Sequence, residues 1–148
     1  MNSVLAQTYQ EIEVIVVDDG SSDATSAIVE EFVRRDARFQ LLRQSNAGVG
    51  AARNAAIQKA RGKYIAPLDA DDCWVPEKLE KQVARIEQCG IETGMVYCWS
   101  TLIDKDGEPV GLSHACCAAR TIHPFYGSTV TCATGHSCAR GFPLPTFM

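Results

Sequence analysis

The last 40 residues of this 148-residue chain contain no acidic side chain: all 18 Asp and Glu lie between Glu11 and Glu108. Positive charge is scarce too. The net charge of -4 argues against a nucleic-acid binder that works by broad phosphate neutralisation. No apolar run approaches the roughly 18 residues needed to cross a bilayer, and no amino-terminal signal pattern is present. A reducing cytoplasm is therefore the expected compartment. A closed disulfide framework is disfavoured because the seven cysteines are odd in number. Cys116, Cys117, Cys132, His136 and Cys138 match no common zinc spacing, so zinc is not expected and free thiols are. With 46% hydrophobic residues the chain can still bury a sizeable core.

What is present is an alternation of strand and helix patterns. Residues 1–8 read as the end of a helix. Residues 12–17, Ile-Glu-Val-Ile-Val-Val, form a short β-branched run suited to a strand buried on both faces. It stops at Asp18-Asp19-Gly20-Ser21-Ser22-Asp23, which is rich in turn and cap residues. Helices are predicted over 24–35, 51–60 and the segment after Pro76, and strands over 39–42, 64–68 and 95–100. Asp106-Gly107 predicts a hairpin turn and Gly90 a helix stop. Strands alternating with helices imply right-handed crossovers and a mostly parallel sheet. In such sheets ligands bind outside the carboxyl ends of the strands.

Two predicted strands end in clustered aspartates, Asp18-Asp19 and Asp69-Ala70-Asp71-Asp72, which would meet on one rim of the sheet. Hard cations such as Mg²⁺ or Mn²⁺ take oxygen ligands, commonly one or two carboxylates together with substrate phosphates. Aspartates also terminate strands and cap helices, which suffices for Asp23 and covers Asp72 ahead of the Pro76 helix. That bland role accounts less well for both clusters together.

Three motifs in order carry a resemblance: Val16-Val17-Asp18-Asp19-Gly20-Ser21-Ser22-Asp23, then Asn46-Ala47-Gly48-Val49-Gly50-Ala51-Ala52-Arg53-Asn54, then Leu68-Asp69-Ala70-Asp71-Asp72. Together they resemble the family 2 glycosyltransferases over about residues 2–110. Ser3-Val4-Leu5-Ala6-Gln7-Thr8-Tyr9 is similar to the family's first-helix ending. The resemblance implies an α/β, Rossmann-like GT-A fold with a mostly parallel sheet that binds a nucleotide-sugar donor. Asp18 is similar to the carboxylate that contacts the nucleobase, with Asp19 its neighbour. Asn46 and Arg53 resemble residues on the nucleotide portion, although Arg53 also suits a solvated helix face. Asp69 and Asp71 look like the Asp-x-Asp pair, with Asp71 the better ligand for Mn²⁺ or Mg²⁺ and Asp69 nearer the ribose. Gly48 and Gly50 are expected to shape the loop and helix start. Transfer to a glycan, lipid or protein acceptor by inversion, as in cell-envelope polysaccharide synthesis, would be the family activity.

Two departures qualify this reading. The family opens on a central strand running into a Pro-Thr-Tyr-Asn-like turn, whereas Met1 here falls within the first helix. The sheet is thus expected to be incomplete, with two strands lacking a partner between them, a state that favours self-association. The family also places a base carboxylate beyond the Asp-x-Asp pair, where this chain has none. His114, His123 and His136 carry no context marking a replacement, so no catalytic base is assigned. Residues 1–110 are accordingly read as a partial nucleotide-sugar-binding domain. Residues 111–148 are read as an atypical Cys/His-containing tail, poorly ordered or frame-shifted, and Met1 as a misplaced start. The competing function is a non-catalytic remnant or nucleotide-binding interaction module. A nucleotidyltransferase ranks below both, for want of a glycine-rich phosphate loop bearing Lys or Arg. Peripheral membrane attachment would follow if the acceptor were lipid-linked.

Overall fold

Strand β1 (Glu13–Asp18) forms where four apolar residues, Val14 to Val17, leave no helical stripe and no turn residue. In the computed structural model β1 lies in parallel register with β2 (Phe39–Arg43), from Val14 opposite Phe39 to Asp18 opposite Arg43. The crossover between them is α2 (Thr25–Arg35). It buries Val29 against the sheet, and Phe32 stacks at a tilt on Phe39 with ring centroids 5.8 Å apart. Helix α3 (Val49–Lys59) buries Ala56 and leads to β3 (Lys63–Ala66), in which Tyr64, Ile65 and Ala66 are buried. Predicted and observed elements agree here to within two residues. The structure describes residues 1–89, 93–98, 100–113, 140–141 and 144–147.

These elements belong to one of two compact units, Glu11–Ala66 with Phe142–Met148. Within it the strand order is β2-β1-β7-β3, where β7 is Leu144–Phe147, and these pairings are all parallel. Among the described side chains the core is Ile12, Val14, Ile15, Val29, Phe39, Ala56, Tyr64, Ile65 and Ala66, with Ile15 fully excluded from solvent. A buried side chain of this size contributes about 1.5–3 kcal/mol relative to exposure. That is why the strands are apolar on both faces.

Strand β7 (Leu144–Phe147) corrects one expectation. The vacancy predicted between two strands is filled: Thr146 and Phe147 pair with Glu13 and Val14 of β1. On the other side, residues Leu144 to Phe147 pair with Lys63 to Ala66 of β3. The physical reason is the cost of the open edges themselves. Buried backbone N–H and C=O groups on two facing strand edges must find partners, and an extended segment of the same chain supplies them.

The other unit comprises Met1–Gln10 and Pro67–Gly141. It contains α1 (Asn2–Leu5), α4 (Lys78–Cys89), β4 (Ser100–Ile103), β5 (Pro109–Ser113) and β6 (Arg140–Gly141). α4 buries Leu79, Gln82 and Ile86 on one stripe, with Lys78 folded over the Trp74 ring, its Nζ 4.5 Å from the centroid. The helix begins two residues after Pro76, whose carbonyl accepts the Thr8 N–H. β4 and β5 form the predicted hairpin in antiparallel register. Its turn is fixed by Asp104 Oδ1, which accepts the N–H groups of Asp106 and Glu108 at 2.9 and 3.0 Å. The strand predicted over 95–100 is displaced: among the described residues of that run Val96 makes a single bridge and Ser100 alone lies in a strand, and β4 continues to Ile103. Pairing with β5 decides its span, not the apolar run before it. The predicted stop at Gly90, the zinc-like Cys/His set and the three histidines lie outside the described residues.

Candidate functional site

Asp18 closes β1 at its carboxyl end and is 7% exposed. Such a carboxylate must be hydrogen-bonded to remain charged. Its Oδ1 accepts the Ser21 N–H at 2.8 Å, and its Oδ2 accepts the Ser26 hydroxyl from the first turn of α2. The Ser26 hydroxyl, with further help from Ser21 and the Arg43 guanidinium, lowers the Asp18 pKa from 3.8 to about 2. Arg43 is itself held by Glu30, Nη2 to Oε1, at 2.5 Å. The neighbouring backbone is tied in as well, since the Gln44 N–H donates to the Asp18 carbonyl at 3.0 Å.

Asp19 holds the following loop. Its Oδ1 accepts the Ala47 N–H at 2.9 Å and the Gln44 amide at 2.7 Å, while Oδ2 accepts the Gly48 N–H at 2.8 Å. These bonds, the one from Ala47 foremost, keep its pKa below the ordinary carboxylate range. Asp19 thus fixes the course of the segment containing Asn46, and both of its oxygens are engaged in doing so. Two glycines make the approach feasible. Gly20 has φ 84°, and a Cβ there would fall 2.9 Å from the Asn46 backbone nitrogen. Gly48, at φ 88° and ψ 161°, caps α3 in a conformation that is essentially glycine-only. Gly50 lies in α3 with open space where a Cβ would be, so of the two glycines expected to shape the loop only Gly48 is required by its backbone.

Asn46 is exposed on this loop, and Arg53 is half-buried one turn into α3. Asp18, Asp19, Asn46 and Arg53 therefore share one unit, around the carboxyl end of β1 and the α3 start. Asp69 and Asp71 belong to the other unit. There a tight turn, closed by the Asp72 N–H on the Asp69 carbonyl at 3.1 Å, presents Asp71 to solvent and leaves Asp69 half-buried. Among the described residues no group of three or more His, Cys, Asp or Glu side chains forms a metal cage. Two oxygen donors one residue apart fit Mg²⁺ or Mn²⁺ in the mode that leaves positions for water and phosphate oxygens. Cys73, Cys89 and Cys98 are free thiols.

Sequence reasoning missed Ser26 and Gln44, which bond Asp18 and Asp19 without belonging to the acidic motifs. Ser26 lies eight positions beyond Asp18 on a helix, and nothing in a linear reading pairs the two.

The acid limb of stability should report the Asp18 arrangement. A carboxylate with a depressed folded pKa stabilises the fold fully above its unfolded value. Its contribution fades as pH falls from near 4 through about 2. Ser26→Ala removes the largest cause of the depression. In a carboxyl-carbon NMR titration the Asp18 midpoint should rise toward 3.8, and acid unfolding should be less steep across that window. An unmoved midpoint would show that Ser26 does not hold the carboxylate.

The family model described as glycosyl transferase family 2 matches residues 1–130. EpsH of Bacillus subtilis (strain 168), provisionally named a glycosyltransferase, is 42% identical over 98 residues, 66% of this chain and 28% of its own length. TuaG of the same organism, provisionally named a teichuronic acid biosynthesis glycosyltransferase, is 35% identical over 113 residues, 74% of this chain and 43% of its own. The glycosyltransferase GlyA of Streptococcus pneumoniae serotype 4 (strain ATCC BAA-334 / TIGR4) is 38% identical over 104 residues, 68% of this chain and 15% of its own. The chain thus spans less than half the length of these relatives. With the family match extending over most of its length, this chain belongs to the family 2 glycosyltransferases and carries an amino-terminal region of that family's α/β fold.

Proposed function

We propose that the chain is the donor-binding part of an inverting, metal-assisted glycosyltransferase that uses a nucleotide-sugar, with a UDP-sugar the first candidate. The observation that carries this reading is Asp18, a buried carboxylate kept ionised at the carboxyl end of a central parallel strand. That end of such a strand is where α/β sheets bind ligands. An ionised acceptor there suits the imide N–H of a uracil ring. Asp19, already committed to the loop, would shape the pocket that Asn46 and Arg53 complete around the nucleotide. Asp71, with Asp69, would hold Mn²⁺ or Mg²⁺. When bound, such a cation supplies positive charge against the developing diphosphate leaving group.

Transfer itself forms a bond between an acceptor hydroxyl oxygen and the anomeric carbon from the face opposite the diphosphate. The bond to the diphosphate breaks with its electron pair, and the hydroxyl proton passes to a base. No residue of this chain is assigned as that base. The acceptor would be a glycan, lipid or protein. TuaG's name, which speaks of teichuronic acid biosynthesis, favours a glycan among these, with the chain cytoplasmic and peripheral to the membrane if the acceptor is lipid-linked.

The competing reading is nucleotide binding without turnover. Calorimetry with UDP and Mn²⁺ tests the donor site common to both readings, and absence of heat with the wild-type chain would overturn it. Release of UDP from a panel of UDP-sugars then separates a transferase from a binding module.

A further inference from the structure

The side chain of Gln7 is 1% exposed, and both ends of its amide are engaged. Its Nε2 donates to the Ser3 carbonyl at 3.0 Å and to the Val75 carbonyl at 2.8 Å. Its Oε1 accepts the Leu79 N–H at 3.1 Å. Leu79 is the second residue of α4, and the first four amides of a helix have no acceptor within it. Gln7 is therefore an N-terminal cap for α4 supplied from 72 residues away in sequence. The same side chain grips the carbonyl four residues before the amide it caps. Thr8 reinforces the grip, its N–H donating to the Pro76 carbonyl at 3.0 Å and its hydroxyl to Glu80 Oε2 at 2.7 Å.

The gripped segment directly follows the acidic turn. Trp74, buried under the Lys78 ammonium, stands between the Asp69–Asp72 hydrogen bond and Val75. A change in where Val75 sits must be absorbed in the few residues that separate it from Asp71. Cation ligands must be held to roughly 0.5 Å of their productive positions. A buried amide with three directional bonds supplies positional control that an apolar side chain of the same volume does not.

We propose that Gln7 is a positioning residue for the Asp69 and Asp71 carboxylates. It sets the register of residues 75–79 and hence the approach of the acidic turn to a divalent cation, without touching that cation. This rests on the metal-assisted donor site proposed above and adds a residue to it.

The test is calorimetry on the full chain with UDP, once with Mn²⁺ and once with EDTA, accompanied by thermal melts. Gln7→Met keeps the volume and loses all three bonds. It should weaken Mn²⁺-dependent UDP affinity about tenfold while leaving metal-free UDP affinity unchanged, the lower end of the loss when a group bonded directly to a metal ligand is removed, because Gln7 acts through the residues between Val75 and Asp71. Gln7→Glu keeps the acceptor for Leu79 but sets a carboxylate against the Val75 carbonyl, so it should show the same split and serves where the Met variant does not fold. A folded variant with wild-type Mn²⁺-dependent affinity overturns the proposal. Equal weakening with and without metal also overturns it, because that pattern marks general destabilisation. If wild type binds UDP with an affinity that Mn²⁺ does not change, the metal-assisted donor reading itself falls, and a metal-positioning role falls with it.

Discussion

Asp71→Ala is expected to reduce the affinity of the chain for UDP in the presence of Mn²⁺ by about 10–100-fold. A bond between an ionised carboxylate and its partner is worth about 1.5–3 kcal/mol net, and each 1.4 kcal/mol is a factor of ten. Asp71 is exposed on its turn, so truncation opens no core cavity and the melting temperature should barely move. Asp71→Asn, which keeps an oxygen but not the charge, should fall between wild type and alanine. Asp69 is half-buried beside a turn closed through its own carbonyl, so Asp69→Ala should lose affinity and some stability together. Calorimetry paired with thermal melts separates the two effects. Unchanged affinity in Asp71→Ala would remove Asp71 from the cation site.

The second large effect belongs to β7. Thr146→Pro should destabilise the fold by about 1–3 kcal/mol for each backbone partner left unsatisfied, whereas Thr146→Ala should cost much less. Thr146 stands opposite Glu13 on one side and Ile65 on the other, so it is flanked by strands on both edges. Proline there removes a ladder N–H and brings a ring into the sheet. Alanine keeps the backbone donor and tests only the side chain. Urea unfolding of the two variants gives the comparison directly. Equal, small losses would mean that β7 contributes little to closing the sheet. A large loss in the proline variant alone would show that the segment is part of the folding unit that positions Asp18.

The central parallel sheet is stabilised by non-local pairs, since β7 meets β1 across more than a hundred residues of chain. Pairing of this kind makes the core depend on a short terminal segment, while α2 and α3 need only their own crossovers. Val14, Ile15, Tyr64, Ile65 and Ala66 are all buried beside the place that β7 occupies. Loss of β7 would uncover ladder groups there, which explains why the sheet recruits a strand.

Much was legible in the sequence because it depends on local pattern. The β-branched run before Asp18, the turn residues after it, the glycine entry to α3 and the Asp106-Gly107 hairpin each follow from spacing or from a residue's own conformational preference. The acidic motifs were visible as motifs, and their order carried the family. What those carboxylates do within the fold was not visible. Asp19 spends three hydrogen bonds on Gln44, Ala47 and Gly48, and Asp18 depends on Ser26. No local preference pairs residues that far apart.

The sequence by itself determined the crossover helices, the strands β1 to β3 and the family. It did so because period, turn chemistry and motif order are properties of neighbours in the chain. Only the tertiary structure decided that Leu144–Phe147 stands between β1 and β3, and that Gln7 caps a helix 72 residues away. The reason is common to both. Leu-Pro-Thr-Phe has no strand pattern of its own, and a glutamine is unremarkable anywhere in a sequence. Each is placed by buried backbone groups elsewhere that require a partner, and that requirement exists only once the rest of the chain has folded.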